Sequence, residues 1–139
     1  GFIQTEQLQR LKQQLIQFKD KFVIIACHHH PIDMRSKWID QHKLKNTVEF
    51  QDILQGFDNI KIVLCGHVHQ DSLNIWNNIT FLSTPSTCVQ FKPQQQDFTL
   101  DQIAPGYRSL CLNANGMFST QVHRIDYTLP TIDPTICGY

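Results

Sequence analysis

Apolar residues recur along the chain in two rhythms, and the change between them near residue 72 separates halves of different character. In the first half, Leu8, Leu11, Leu15 and Phe18 fall three and four positions apart, which predicts an amphipathic helix over residues 5 to about 19 with Thr5 as its cap. Phe22-Val23-Ile24-Ile25-Ala26-Cys27 follows as an unbroken apolar run of strand length. Charge bounds it on one side, histidines and Pro31 on the other, and it predicts a buried strand. After a polar loop, Asn46 with Glu49 three positions on gives a capping pattern. Phe50, Ile53, Leu54 and Phe57 then make one helical face that ends near Gly56. Residues 60–65 are a second buried run. The order helix, strand, loop, helix, strand favours a parallel pair joined by a right-handed crossover.

The second half alternates in twos. Leu73, Ile75, an Asn77-Asn78 turn, Ile79 and Phe81 predict one hairpin, and residues 107–112 and 117–125 around Asn115-Gly116 predict another. Residues 83–106 join them, with Pro85, Pro93, Pro105 and three consecutive glutamines, and a connection of that length usually covers a site or makes an interface. The tail after Tyr127, with Pro130 and Pro134, has no periodicity and reads as an extended arm. No internal repeat is visible.

Composition narrows the classes. At 139 residues and 41% hydrophobic content, the chain can build the core of one domain. Twelve Lys and Arg balance twelve Asp and Glu, so no basic field favours nucleic acid or anionic lipid. No apolar stretch approaches the roughly 20 residues that span a bilayer, and the first residues lack a signal-peptide pattern, which points to the cytoplasm. Five cysteines without C-x-x-C spacing fit neither a disulfide framework nor a zinc ribbon. Cys27 and Cys65 read as small buried apolar residues, and the Asn78-Ile79-Thr80 sequon reads as chance.

Candidate chemistry lies in two histidine clusters, Cys27-His28-His29-His30-Pro31 and Cys65-Gly66-His67-Val68-His69, each placed where a β-branched run stops. A strand that ends in histidines presents imidazoles at a sheet edge, where a rigid scaffold can hold a metal. In an extended segment His67 and His69 share a face, and Gly66 lets the backbone approach closely. One histidine at a strand end is ordinarily structural; two on one face beside a second cluster favour a metal.

These motifs resemble those of the calcineurin-like metallophosphoesterases. Gly66-His67-Val68-His69 is similar to that family's last G-H-x-H motif, and His28-His29-His30-Pro31 to its upstream H-H-x-P element. Over nearly all of its length the chain also resembles the bacterial class III cyclic AMP phosphodiesterases. That likeness runs through Trp38-Ile39-Asp40-Gln41-His42, Cys65-Gly66-His67-Val68-His69-Gln70, Thr84-Pro85-Ser86-Thr87-Cys88-Val89-Gln90-Phe91-Lys92-Pro93 and Ala104-Pro105-Gly106-Tyr107-Arg108. The resemblance implies an α/β fold: half of an αββα sandwich, with a mixed sheet, flanking helices and two hairpins. Residues 1–139 would be the carboxyl-terminal part of one metallophosphoesterase domain.

It further implies that His28 and His67 are ligands of one metal and His69 of the other, where His69 also meets substrate. His29 replaces His28 if Pro31 is matched to a proline that stands earlier in the family. Two divalent or mixed-valence ions, iron, manganese or zinc, would support hydrolysis of 3′,5′-cyclic AMP to 5′-AMP. The expected partner is a small cyclic nucleotide, with neither nucleic acid nor membrane, and a homodimer is left open. Other phosphodiesters, phosphomonoesters and a stand-alone metal-binding module are the alternatives. The family's earlier motifs, D-x-H, G-D-x-x-D and G-N-H-D, have no suitably placed counterpart: Asp40-Gln41-His42 spells the first but lies in a loop. The chain therefore reads as a piece of a longer protein, inactive alone, with unpaired strand edges and exposed apolar surface. Asp71 either orients an imidazole or is a turn residue. Phe91, Tyr107 and Arg108 either touch base or phosphate or serve as packing and surface charge.

Overall fold

A computed structural model describes residues 1–127; the arm expected after Tyr127 lies outside the described residues. Helix α1 is Thr5–Gln17, and its apolar stripe buries Leu8 and Leu15. The cap is Gln4 rather than Thr5, because the Gln7 side chain reaches back to accept the Gln4 N–H at 3.0 Å and starts the helix one residue early. Strand β1, Val23–Cys27, follows. Phe22, expected inside it, stays outside and half exposed.

The polar loop contains an unforeseen short helix α2, Lys37–Asp40, and α3 is Thr47–Leu54. Asn46 precedes α3 as expected but does not cap it: its amide accepts from Ile3 N at 3.1 Å and donates to Ile3 O at 2.8 Å. Those bonds are long-range, and they tie the amino-terminal segment to the start of α3.

Strand β2, Ile60–Cys65, pairs parallel with β1, with Cys27 opposite Cys65. The hairpin of β3, Ser72–Trp76, and β4, Ile79–Ser83, turns on Asn77 and Asn78, both at positive φ as a two-residue primed turn requires. Strand β4 then inserts beside β2 and parallel to it, giving a mixed sheet in the order β1-β2-β4-β3. The long connection carries two-residue strands β5, Gln90–Phe91, and β6, Leu100–Asp101. The second hairpin is β7, Gly106–Leu112, with β8, Phe118–Arg124, closing at Gly116 with φ +83°.

One face of the sheet carries the main core. Val23, Ile25 and Cys27 of β1, Ile60 and Val63 of β2, and Ile79 and Phe81 of β4 pack against Leu8 and Leu15 of α1 and Phe50 and Leu54 of α3. On the other face Ile62 and Leu82 are fully buried. The β7–β8 hairpin is anchored near one end by Arg108 bonding the Ser83 carbonyl and at its tip by Gly116 lying against the Phe22 ring. Strand β1 is less buried than its apolar run predicts, since it is an edge strand whose Ala26 is exposed. Leu73 and Ile75 of the opposite edge strand are also exposed. Among the described residues no helix is long and apolar enough to cross a membrane.

Cys27 and Cys65 behave as the small apolar residues expected, free thiols whose pKa burial raises to about 11 and about 12. The α/β architecture with its mixed sheet, flanking helices and two hairpins is the one anticipated.

Candidate functional site

Strands β1, β2 and β4 are mutually parallel, so their carboxyl ends lie together, and the two histidine clusters leave from β1 and β2 side by side. The backbone zips them: the carbonyl of His28 accepts from Gly66 N at 3.2 Å and His67 N at 3.0 Å. His28 Nε2 then comes within 3.2 Å of His67 Nδ1. The His29 ring centre is 4.3 Å from that of His67, and its Nδ1–H donates to the His42 carbonyl at 2.9 Å, leaving Nε2 as its lone-pair nitrogen.

His67 sits among histidines. His28, His29 and His42 neighbour its ring, and His30 stacks parallel to it at 6.3 Å. Burial first, and then the repulsion of these neighbours, pulls its pKa down to about 4, so the ring is neutral at pH 7 with a lone pair available. His30 is wholly buried and forms the floor beneath His67. Its pKa also falls to about 4, because burial outweighs Asp40, whose Oδ1 is 3.4 Å from Nε2 without hydrogen-bonding geometry.

Asp40 is turned elsewhere, accepting from Met34 N at 2.8 Å and Ser36 N at 3.0 Å across the start of α2. The D-x-H triplet is thus a structural element of a short helix, although its His42 does reach the cluster. Sequence reasoning had set His42 aside. The signal that would have found it is its position in a chain where five of seven histidines already fall in two clusters, and that signal is weak until α2 folds.

The Gly66-His67-Val68-His69 segment is a turn rather than the extended run expected: His69 N donates to Gly66 O at 3.2 Å and His69 has φ +49°. Val68 imposes it. Its side chain is fully buried in a second cluster with Met34, Ile39 and Phe91, flanked by Trp38, Phe98 and Leu100, so the chain must bend to send Val68 inward. A left-handed histidine costs on the order of 1 kcal/mol, which that burial offsets. His69 leans on the long connection. Its Nδ1–H donates to the Val89 carbonyl at 3.0 Å, its ring stacks on Phe91 at 4.4 Å and 8°, and its Nε2 keeps the lone pair. Burial lowers its pKa as well.

Gly66 is not the tight spot anticipated. A Cβ there would meet Thr84 Oγ1 at 3.9 Å and His28 Nδ1 at 4.0 Å, both ordinary contacts. Gly66→Ala is therefore expected to leave stability unchanged or raise it by up to about 1 kcal/mol, as denaturant unfolding will read.

Four flanking residues find partners within the fold. Asp71 pairs with Arg108 rather than with an imidazole. The Arg108 side chain is 6% exposed, so it is neither surface charge nor a free phosphate contact. Tyr107 is exposed and stacks on His123 at 4.9 Å. Phe91 is buried, T-shaped against Trp38 and Phe98.

Among the described residues, no group of three or more His, Cys, Asp or Glu side chains is arranged to hold a metal ion. What is present fits part of a metal centre. Two nitrogens bound to one ion at about 2.0–2.1 Å stand about 3.0–3.4 Å apart, depending on the angle at the ion, and His28 and His67 present theirs at 3.2 Å. The carboxylates near the cluster are engaged, Asp33 with Lys43, Asp40 with backbone amides and Asp71 with Arg108.

No protein-family model matches the chain. Curated proteins do. It is 42% identical, over all of its length and 50% of theirs, to the 3′,5′-cyclic adenosine monophosphate phosphodiesterase CpdA of Escherichia coli. With the protein of the same name from Vibrio vulnificus the identity is 43% over all of this chain and 51% of that one. With a 3′,5′-cyclic-nucleotide phosphodiesterase of Nostoc it is 36% over 98% of this chain and 51% of the relative. The chain spans about half the length of the curated relatives it matches.

Proposed function

The chain belongs to the cyclic-nucleotide phosphodiesterase family of these relatives as the counterpart of their carboxyl-terminal half, and from that premise we propose that it is the histidine-bearing part of a metallophosphoesterase domain that hydrolyses 3′,5′-cyclic AMP to 5′-AMP. The observation that carries the reading is the meeting of His28 and His67 at the ends of adjacent parallel strands, in a chain alike along its whole length to enzymes of that name. In this reading His28 and His67 hold one ion and His69, through Nε2, holds the other and faces substrate. His28 is preferred to His29 because its Nε2 is the nitrogen that reaches His67.

The preceding half of the domain supplies the acidic ligands. The open edge of β1 and the exposed Ala26 beside it support a continuation of the sheet on that side. When bound, the ions, iron, manganese or zinc, supply the charge neutralisation and water activation that phosphodiester hydrolysis needs. The protein's own contribution is to hold three imidazoles rigid, on the ends of paired strands and on a turn pinned by Val68. Residues 1–139 alone are inactive in this reading, and the intact enzyme works in the cytoplasm on a small nucleotide.

Hydrolysis by the full-length protein under manganese or iron tests the proposal. Conversion of cyclic AMP to 5′-AMP is expected. Turnover of phosphomonoesters with none of cyclic nucleotides would leave only the wider superfamily. Robust turnover by residues 1–139 alone would contradict the half-site.

A further inference from the structure

The aromatic group behind His69 is more than packing. His69 is held at three points: its left-handed backbone closes on Gly66, its Nδ1–H donates to the Val89 carbonyl at 3.0 Å, and its ring lies flat on Phe91 at 4.4 Å and 8°. The second and third come from the long connection, two residues apart, so the entry to β5 fixes both the tautomer and the ring plane. A carbonyl can only accept, so the bond to Val89 places the proton on Nδ1 and leaves Nε2 unprotonated.

That bond survives only if the ring cannot turn about its side-chain torsions. Phe91 blocks the turning from one face, and it cannot itself yield. Trp38 and Phe98 close on it edge-on at 5.0 and 5.5 Å, and they in turn pack edge-on at 5.0 Å. Lys92 N to Thr99 O at 2.9 Å ties the strand that carries it. We propose that Phe91 is a positioning residue for His69, holding the imidazole in the single tautomer and orientation in which Nε2 can bind an ion. The metal part of this rests on the function proposed above; the tautomer part does not.

Two measurements on the metal-free protein separate the role from mere packing. The first is 15N NMR of the histidine side chains, and the second is competitive titration with zinc alone. The wild type is expected to show His69 as one tautomer protonated at Nδ1. Phe91→Leu is expected to mix both tautomers and to weaken zinc binding about tenfold or more, the usual size for losing an orienting partner. Phe91→Tyr, which keeps the ring, should restore both readouts. Phe91→Met fills the space without a flat face and repeats the test if leucine prevents folding. Phe50→Leu, in the main core, should lower stability while moving neither readout. If Phe91→Leu and Phe91→Met leave His69 a single Nδ1–H tautomer with zinc affinity unchanged, Phe91 only packs and the proposal falls. If His69→Ala leaves zinc binding untouched, the assignment of His69 as a ligand fails instead, and the tautomer still decides the role of Phe91.

Discussion

Alanine in place of His67 is expected to cost the full-length enzyme about 10³-fold in kcat/KM for cyclic AMP, about 4 kcal/mol of transition-state stabilisation, with little change in thermal stability. The ring contributes little to the core, being half-buried at the mouth of the cluster. Its removal also separates no oppositely charged pair, because it is neutral at pH 7 and surrounded by other imidazoles. Its value lies in where Nδ1 stands, 3.2 Å from His28 Nε2. His28→Ala should therefore match it in size. His29→Ala should cost at least tenfold less, since it is His28 that brings a ring nitrogen to 3.2 Å from His67 Nδ1. Steady-state kinetics with circular dichroism melts will check all three. Activity within tenfold of wild type in His67→Ala would refute the ligand assignment, and a large loss confined to His29→Ala would move the ligand one residue along.

What could be read from the residues, and what could not, follows the range of the forces involved. The periods of Leu8, Leu11 and Leu15 and the apolar runs before His28 and Gly66 report local burial, and α1, β1 and β2 formed close to where those patterns put them. The Asn77-Asn78 and Asn115-Gly116 turns are local too, set by residues that tolerate positive φ. Errors gathered where a distant partner decided the outcome. Asn46 has the composition of a cap, yet its amide found Ile3 43 residues away. The two histidines of the G-H-x-H motif were expected on one extended face. The burial of Val68 against Phe91 and Ile39 turned the segment instead, and no short window contains all three residues. The insertion of β4 between β2 and β3 is likewise a matter of tertiary pairing that period-two alternation does not encode.

Arg108→Ala is expected to destabilise the protein by about 2–3 kcal/mol, the larger effect in the pair it forms with Asp71. The guanidinium is buried and its donors point three ways: Nε and Nη2 to the Ser83 carbonyl at 3.2 and 2.9 Å, Nη1 to Thr120 Oγ1 at 3.0 Å, and Nη2 also to Asp71. One side chain thus joins the end of β4, the turn after His69 and both strands of the β7–β8 hairpin. Removing it orphans the Ser83 carbonyl, whose Ser83 residue is 1% exposed, and leaves a cavity between hairpin and sheet. Removing Asp71 is different. That carboxylate is 46% exposed, so water screens the pair and the arginine keeps its other acceptors; Asp71→Asn should cost less than about 1 kcal/mol. Lysine cannot rebuild a fork with donors in three directions, and Arg108→Lys should recover less than half of the loss. For a chain of this size the alanine variant corresponds to a drop of roughly 10 °C in Tm. Equal shifts for Arg108→Ala and Asp71→Asn would mean that the ion pair alone carries the contact. A larger shift for arginine locates the stability in the hydrogen bonds that bind the hairpin to the end of β4, next to the turn on which His69 stands.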